Sequence, residues 1–238
     1  MYKRVKGNSP PPLNVPTNST FNAYLINTNG LRPVNTKPPL EGSGPTKLNK
    51  IKLIKDLVVK WRLNAVQITE THDDNPVAMG PLHGWHSTPS VPVGGKHGTA
   101  TVTADPPNAS KTDTNVSASL ITWEQQPIWL VTAYFPNDLE NAKATITALH
   151  GIMKGLKNKR VILAGDFNST ETLSSFDTGG SRPPTKAKVL NTAAIQQVLD
   201  SYGFKDLWTN EANEAREVEQ PKLAHLTHWN HELLKPGI

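Results

Sequence analysis

Cysteine is absent from the 238 residues. Disulfides, thiolate metal sites and cysteine nucleophiles are therefore excluded, and the composition fits a reducing compartment. No apolar run approaches the ~20 residues that a bilayer span requires, so no membrane partner is expected. The opening residues, MYKRVKGNSPPP, are basic, but no apolar stretch follows them. A secretory leader is not expected there, and an intracellular protein is. The sequons at Asn18, Asn108, Asn115 and Asn168 then read as chance. Hydrophobic residues make up 36%, a low share that still permits one sizeable core. There is no internal repeat. The stretch VGGKHGT (93–99) lacks the Gly-X4-Gly-Lys-Ser/Thr spacing of a phosphate loop, so it reads as a Gly-rich loop entering a strand, with Lys96 as a candidate DNA contact.

What is plentiful is proline, 20 residues, many of them in the first 45 positions. Residues 1–20 read as a flexible Pro/Asn-rich arm, and 21–238 as one domain. The net charge of +5 and pI of about 9.3 favour a polyanionic partner. From Lys47 to Arg62, apolar residues at helical spacing (Leu48, Ile51, Ile54, Leu57, Val58, Trp61) alternate with Lys47, Lys50, Lys52, Lys55 and Lys60. This predicts an amphipathic helix with a basic, solvated outer face. Strands are expected at 64–70, 98–104, 115–123 and 127–135, the last two joined as a hairpin through EQQ. Asp138 is placed to cap a helix running to about Leu156, and KVLNTAAIQQVLDSYG to form a helix stopped by Gly203. RVILAGD reads as a central strand because of its apolar run. Hairpins mixed with helical crossovers predict a layered α/β fold with mixed sheets. Trp61, Trp123, Trp129, Leu207 and Trp208 read as packing residues, and His72, Asp73 and Asp74 as a solvated turn.

Several polar residues share one kind of position, the end of an apolar strand. YLIN ends at Asn27, AVQITE at Glu70, and VILAGDFN at Asp166 and Asn168, while VTAYFPN carries Tyr134 and then Asn137. Strand ends are rigid, which suits a site. Clustered carboxylates there suit a hard divalent cation with oxygen ligands, and amides and phenols add hydrogen bonds to phosphate oxygens without adding negative charge. Such a set fits metal-assisted phosphodiester hydrolysis.

The order of these pieces resembles the endonuclease/exonuclease/phosphatase superfamily, and most of all the apurinic-like endonuclease domain of non-LTR (LINE-type) retrotransposons. LINTNGL is similar to its opening strand, VQITETH to its Gln-Glu-Thr-His segment, TAYFPN to its Tyr-X-Pro-Asn segment, LAGDFN to its Gly-Asp-Phe-Asn hallmark, and LTHW (226–229) to a later Thr-containing strand. The resemblance covers about residues 21–238. It implies a four-layer α/β sandwich, two mixed sheets packed together and flanked by helices, that nicks DNA with Mg²⁺ or Mn²⁺, as a monomer, in the nucleus. Carried over by position, Glu70 binds the metal with Asn27 beside it. Asp166 positions or deprotonates the attacking water, and Asn168 holds the phosphate. Tyr134 and Asn137 contact phosphate or support the site, and Thr227 is a secondary contact. The family pattern continues with Ser-Arg-Ile/Leu-Asp and ends in Ser-Asp-His, and neither segment is present in this sequence. The expectation from the sequence is thus an incomplete domain, lacking its last strands and impaired as a nuclease. The alternatives are a relative acting on another phosphoester and a non-catalytic DNA-binding remnant.

Overall fold

The structure, a computed structural model, describes residues 21–31, 47–72, 84–92, 97–169 and 184–204. The expected arm at 1–20, Asp73, Asp74, Lys96, Leu207, Trp208 and Thr227 lie outside the described residues.

Among the described residues, eight strands form two four-stranded sheets. Along the chain they are β1 (Ala23–Asn27), β2 (Ala65–Thr69), β3 (His86–Pro89), β4 (Thr99–Thr103), β5 (Ala109–Asp113), β6 (Val116–Trp123), β7 (Gln126–Tyr134) and β8 (Val161–Asp166). The helices are α1 (Lys47–Trp61), α2 (Leu139–Lys154) and α3 (Lys186–Tyr202). The sheet orders are β1-β2-β4-β3 and β5-β6-β7-β8. Each sheet contains one parallel pair, β1 with β2 and β7 with β8, and is otherwise antiparallel. Each parallel pair is bridged by a helix, α1 in the first sheet and α2 in the second, as a parallel connection requires. The fold is therefore the mixed-sheet α/β sandwich that the sequence predicts.

Helix α1 covers the outer face of the first sheet. Its Ile51, Ile54 and Val58 join Leu31, Leu63, Val66, Ile68, Ala100 and Val102 in one buried cluster. These side chains recur three or four residues apart because only one stripe of a helix meets a sheet. Helix α2 buries Ala142, Thr145, Ala148, Leu149, Ile152 and Met153. It starts as expected at Asp138, whose side chain accepts from the Asn141 amide. Hydrogen bonds from Asn141 and the charge of His97 outweigh burial there and hold the Asp138 carboxyl below its ordinary value. The β6–β7 hairpin closes through Glu124 and Gln125, with φ of 47° and 62°, while Trp123 pairs with Gln126. Two successive left-handed residues are what a tight type I′ turn needs.

Between the sheets the filling changes along the strands. Toward one end, Ala65, Ile121 and Leu130 pack with Phe21, Ile128 and Ile162. Toward the other, the layer is polar. Gln67 Nε2 donates to Val131 O (2.8 Å) and Thr132 Oγ1 (3.1 Å). Thr101 Oγ1 lies 2.8 Å from Thr132 Oγ1 and 3.1 Å from Ser117 Oγ, and Thr99 Oγ1 donates to Ser117 Oγ at 3.3 Å. Buried hydroxyls are tolerated because they satisfy one another. This polar end carries Asn27, Glu70, Tyr134 and Asp166.

Asn115 ties that end together. It is fully buried, with φ 51°. Its Oδ1 accepts from Gly98 N, its Nδ2 donates to Thr145 Oγ1, its carbonyl accepts from Tyr134 N, and its amide donates to Val91 O. Asn115→Ala strands a buried N–H and a buried hydroxyl and places a methyl-bearing residue in the left-handed region. Together these destabilise the chain by about 2–4 kcal/mol. A urea melt checks this, and an unchanged midpoint contradicts it.

Three expectations are corrected. Among the described residues β8 has one neighbour, β7, and is half-buried throughout, not central. An apolar run reports covered faces and says nothing about lateral pairing. Trp61 is 56% exposed, with the Lys60 ammonium 5.3 Å from its ring, and is not a core residue. Its place in the last turn of α1 carries it past the edge of the buried stripe. Lys50 does not belong to the solvated face and is described below.

The chain divides at Ile195/Gln196 into two units. Of the second, the end of α3, Gly203 and Phe204 are described, and Gln196 Nε2 donates there to Asp200 Oδ1 at 3.0 Å. Gly203, at φ 64°, ends the helix as predicted. No described helix is long and apolar enough to cross a membrane.

Candidate active site

Four strands deliver their C-terminal ends to one place, and these are the two parallel pairs. The register pairs Asn27 with Thr69, the residue before Glu70, and Tyr134 with Asp166. Between the sheets, Asn27 Nδ2 donates to Asp166 Oδ2 at 2.9 Å, and Tyr134 OH donates to Glu70 Oε1 at 2.5 Å. Residues 139 and 64 positions apart are thus joined by direct side-chain bonds.

Asp166 accepts at both oxygens, its Oδ1 taking the Asn168 amide at 3.1 Å. Asn168 Nδ2 donates to Phe135 O at 2.8 Å, which pins the loop after β8 to the end of β7. The tyrosine hydroxyl is pushed well above its ordinary value. Burial contributes most, followed by its hydrogen bond to Glu70 and then by the negative charges of Glu70 and Asp166. A hydrogen bond with Asn168 pulls the other way. Tyr134 is therefore a neutral donor at ordinary pH and not a phenolate base. Both carboxylates act on this one hydroxyl, so Glu70 and Asp166 lie in the same electrostatic neighbourhood.

The backbone is unusual at these ends. Asn29, Glu70, His72, His97 and Asn168 all have positive φ, between 43° and 68°. Each such non-glycine residue costs about 1–2 kcal/mol. Strain of this kind persists where surrounding bonds over-determine it. Here Gly30 N donates to Glu70 O (2.7 Å), Leu31 N to Thr71 O (2.6 Å), and His72 N to His97 O (2.7 Å). Thr28 Oγ1 adds bonds to Thr69 O and Glu70 O.

Lys50 braces the same loop from α1. Its Nζ donates to Thr28 O (2.6 Å), Asn29 O (3.1 Å) and Gly30 O (2.9 Å). Burial lowers its pKa, and the Glu70 carboxylate opposes that shift. Lys50→Met leaves three carbonyls to water and weakens the fold by about 1–2 kcal/mol, given partial exposure. Lys50→Arg does not restore it, because a planar fork cannot fill a three-carbonyl cup. Urea unfolding of the two variants tests this, and an arginine variant as stable as the original chain contradicts it.

The sequence-predicted residues fall into three groups. Asn27, Glu70, Tyr134, Asp166 and Asn168 are brought together. Asn137 is exposed, next to Pro136, whose carbonyl accepts from Asn191 Nδ2 at 3.2 Å. Thr227 is outside the described residues. His72 is half-buried beside Glu70 and not a solvated turn residue, because the Thr71 and His72 amides pair with Gly98 and His97. His97 was not legible at all. It stacks on Tyr134, with centroids 5.1 Å apart, yet in the sequence it is one polar residue in a Gly-rich loop.

The oxygen donors fit a hard divalent cation. Glu70 Oε1 faces the tyrosine hydroxyl and Asn27 Oδ1 accepts from Asn29 N at 2.9 Å, and a carboxylate and an amide oxygen with one such bond each have lone pairs left for a ligand.

No protein-family model matches the sequence, and no curated protein matches it. Among solved structures, the chain is similar to the endonuclease domain of TRAS1, a telomere-specific non-LTR retrotransposon, at 18% identity over 68% of this chain and 67% of that one, TM-score 0.45. An AP endonuclease from Archaeoglobus fulgidus matches at 14% identity over 70% and 77%, TM-score 0.46. An endonuclease/exonuclease/phosphatase family protein from Leptotrichia buccalis matches at 14% over 76% and 72%, TM-score 0.47. The structural neighbours of this chain thus include endonuclease/exonuclease/phosphatase proteins.

Proposed function

We propose that this chain is a divalent-cation-dependent phosphodiesterase of the endonuclease/exonuclease/phosphatase type that nicks DNA, as part of a retrotransposon-type protein acting in the nucleus. The observation that carries the proposal is the convergence of Asn27, Glu70, Tyr134 and Asp166 through direct bonds between the two sheets.

In this reading Glu70 holds Mg²⁺ or Mn²⁺, with Asn27 beside it. When bound, the cation supplies positive charge to the scissile phosphate and the leaving oxygen. Asp166, oriented by Asn27 and by the Asn168 amide, accepts the proton of the attacking water. The water oxygen bonds to phosphorus, the bond from phosphorus to the leaving sugar oxygen breaks, and that oxygen takes a proton from solvent. With Glu70 on the cation, the Tyr134 hydroxyl turns from that carboxylate to a phosphoryl oxygen or stays to support the site, and Asn168 turns its side-chain amide from Phe135 O to hold the phosphate. Asn137, exposed at the head of α2, and Thr227 are assigned secondary phosphate contacts. The net charge of +5 and the exposed Lys52, Lys55 and Lys60 of α1 support a nucleic-acid partner.

The test is supercoiled plasmid nicking beside hydrolysis of a phospholipid headgroup diester and a dinucleotide, with DNA binding measured across salt. Mg²⁺-dependent nicking is expected, with affinity falling steeply as salt rises. Hydrolysis of the lipid or dinucleotide with plasmid left intact contradicts the DNA assignment. Salt-independent binding contradicts the electrostatic one.

A further inference from the structure

We infer that Glu70, His72 and His97 form a site for a borderline divalent transition ion of the Zn²⁺ class. One ligand atom from each lies within 4.8 Å of the others, and all three residues are half-buried. Two imidazoles and one carboxylate are a donor set for zinc, cobalt or manganese, whereas magnesium selects oxygen. Three protein ligands leave a fourth position open, as in zinc sites that also take water.

Two further features point to a ligand here. His97 Nδ1 is buried and has no hydrogen-bond partner among the described residues. Stacking on Tyr134 accounts for the plane of the ring but supplies no hydrogen-bond partner to this nitrogen, which a metal ion would. The second feature is how firmly the ligands are placed. Glu70, His72 and His97 are all left-handed, with φ of 53°, 49° and 68°. They are fixed by the bonds His72 N to His97 O (2.7 Å), Thr71 N to Gly98 O (3.2 Å) and Gly30 N to Glu70 O (2.7 Å). Room for the His72 ring comes from glycine. A Cβ on Gly30 would sit 2.9 Å from His72 Nδ1, and Gly30 is itself left-handed at φ 89°. Two segments, 70–72 and the one at His97, are thus held so that their donors converge before any ion arrives, with Gly30 leaving room for one of the rings.

Glu70 belongs both to this set and to the oxygen set of the proposed phosphodiesterase. If that reading holds, the two ions compete for one carboxylate. Zn²⁺ then suppresses Mg²⁺-supported hydrolysis, and the suppression depends on the two histidines.

The test uses the full chain and Co²⁺, whose visible absorption reports imidazole ligation, with Zn²⁺ as displacing ion. One equivalent of Co²⁺ is expected to bind and to be displaced by Zn²⁺. His72→Gln and His97→Gln are each expected to weaken binding by at least the roughly 10–100-fold that loss of an outer-shell partner causes. His86→Ala, an exposed histidine on β3, is expected to bind as the unaltered chain does. Asp166→Asn is also expected to retain Co²⁺ while losing hydrolysis, which separates failure of this site from failure of the phosphodiesterase reading. Circular dichroism establishes that each variant is folded. Should one glutamine variant unfold, the other decides. No Co²⁺ binding, unchanged binding in a folded glutamine variant, or an equal loss in His86→Ala overturns the inference.

Discussion

On the proposed function, Asp166→Asn is expected to slow Mg²⁺-dependent plasmid nicking by roughly 10²–10⁴-fold, the usual effect of removing a general base. The size of the loss follows from where the carboxylate sits. Its two oxygens each face an N–H donor, from Asn27 Nδ2 and from the Asn168 amide. An amide in its place turns an NH₂ toward one of these donors whichever way it flips, so orientation is lost with basicity. Asp166→Glu does not recover the rate, because the longer side chain moves the carboxylate out of register with Asn27. Stability changes little, since the residue is half-exposed and water replaces the lost bond. Nicking rates with matched thermal melts check this. A folded Asp166→Asn chain that nicks at the original rate refutes the role given to Asp166.

The second large effect falls on the neighbouring glycine. Gly165→Ala places a Cβ against the Ala133 carbonyl oxygen, closer than atoms can approach, and against the Ala133 carbonyl carbon at 2.9 Å. The obstruction is backbone on β7, which cannot rotate aside as a flexible side chain does. Overpacking in a core typically destabilises by about 1–3 kcal/mol, and a backbone clash in a paired strand belongs at or above the top of that range. The strand must shift, and Asp166 shifts with it, so both stability and nicking fall. Equilibrium unfolding measures the first. A Gly165→Ala chain within ~0.5 kcal/mol of the original contradicts the close approach of β7 and β8. Here the glycine before the aspartate is explained by proximity of two strands and not by a turn.

Much of the fold was legible because its signals are local. The stripe Ile51, Ile54, Val58 names the buried face of α1, Asp138 caps α2, and the hairpin β6–β7 follows from composition. Strands β3 and β5 were not legible. HSTP and ASKTD carry no apolar alternation, since both end their sheets, and β5 is exposed along its whole length. Edge strands are often polar, which protects them from further pairing. The segment TATVT of β4 shows alternation that ordinarily marks one wet face. Instead Ala100 and Val102 meet α1, while Thr99 and Thr101 are buried in the hydroxyl layer between sheets. That layer depends on partners 16 to 33 residues away, which periodicity does not report.

The site divides in the same way. Asn27, Glu70, Tyr134, Asp166 and Asn168 end or follow apolar strands, and that position together with the order of the motifs along the chain marked them. Lys50 looked like one more lysine on a basic helix face, and only the path of the β1 loop reveals its three carbonyl partners. His97 stands in a loop without periodicity, and its neighbours Tyr134 and His72 are brought to it by tertiary structure.

The proposed function requires that Glu70, through the cation, and Asp166, through the attacking water, serve one reaction. A double-mutant cycle on Mg²⁺-dependent nicking tests it most directly, using Glu70→Gln, Asp166→Asn and the pair. Groups that act as a unit are strongly non-additive, so the double variant is expected to be about as slow as the slower single one. Losses that multiply, or a Glu70→Gln chain that nicks at the original rate, would contradict a shared site.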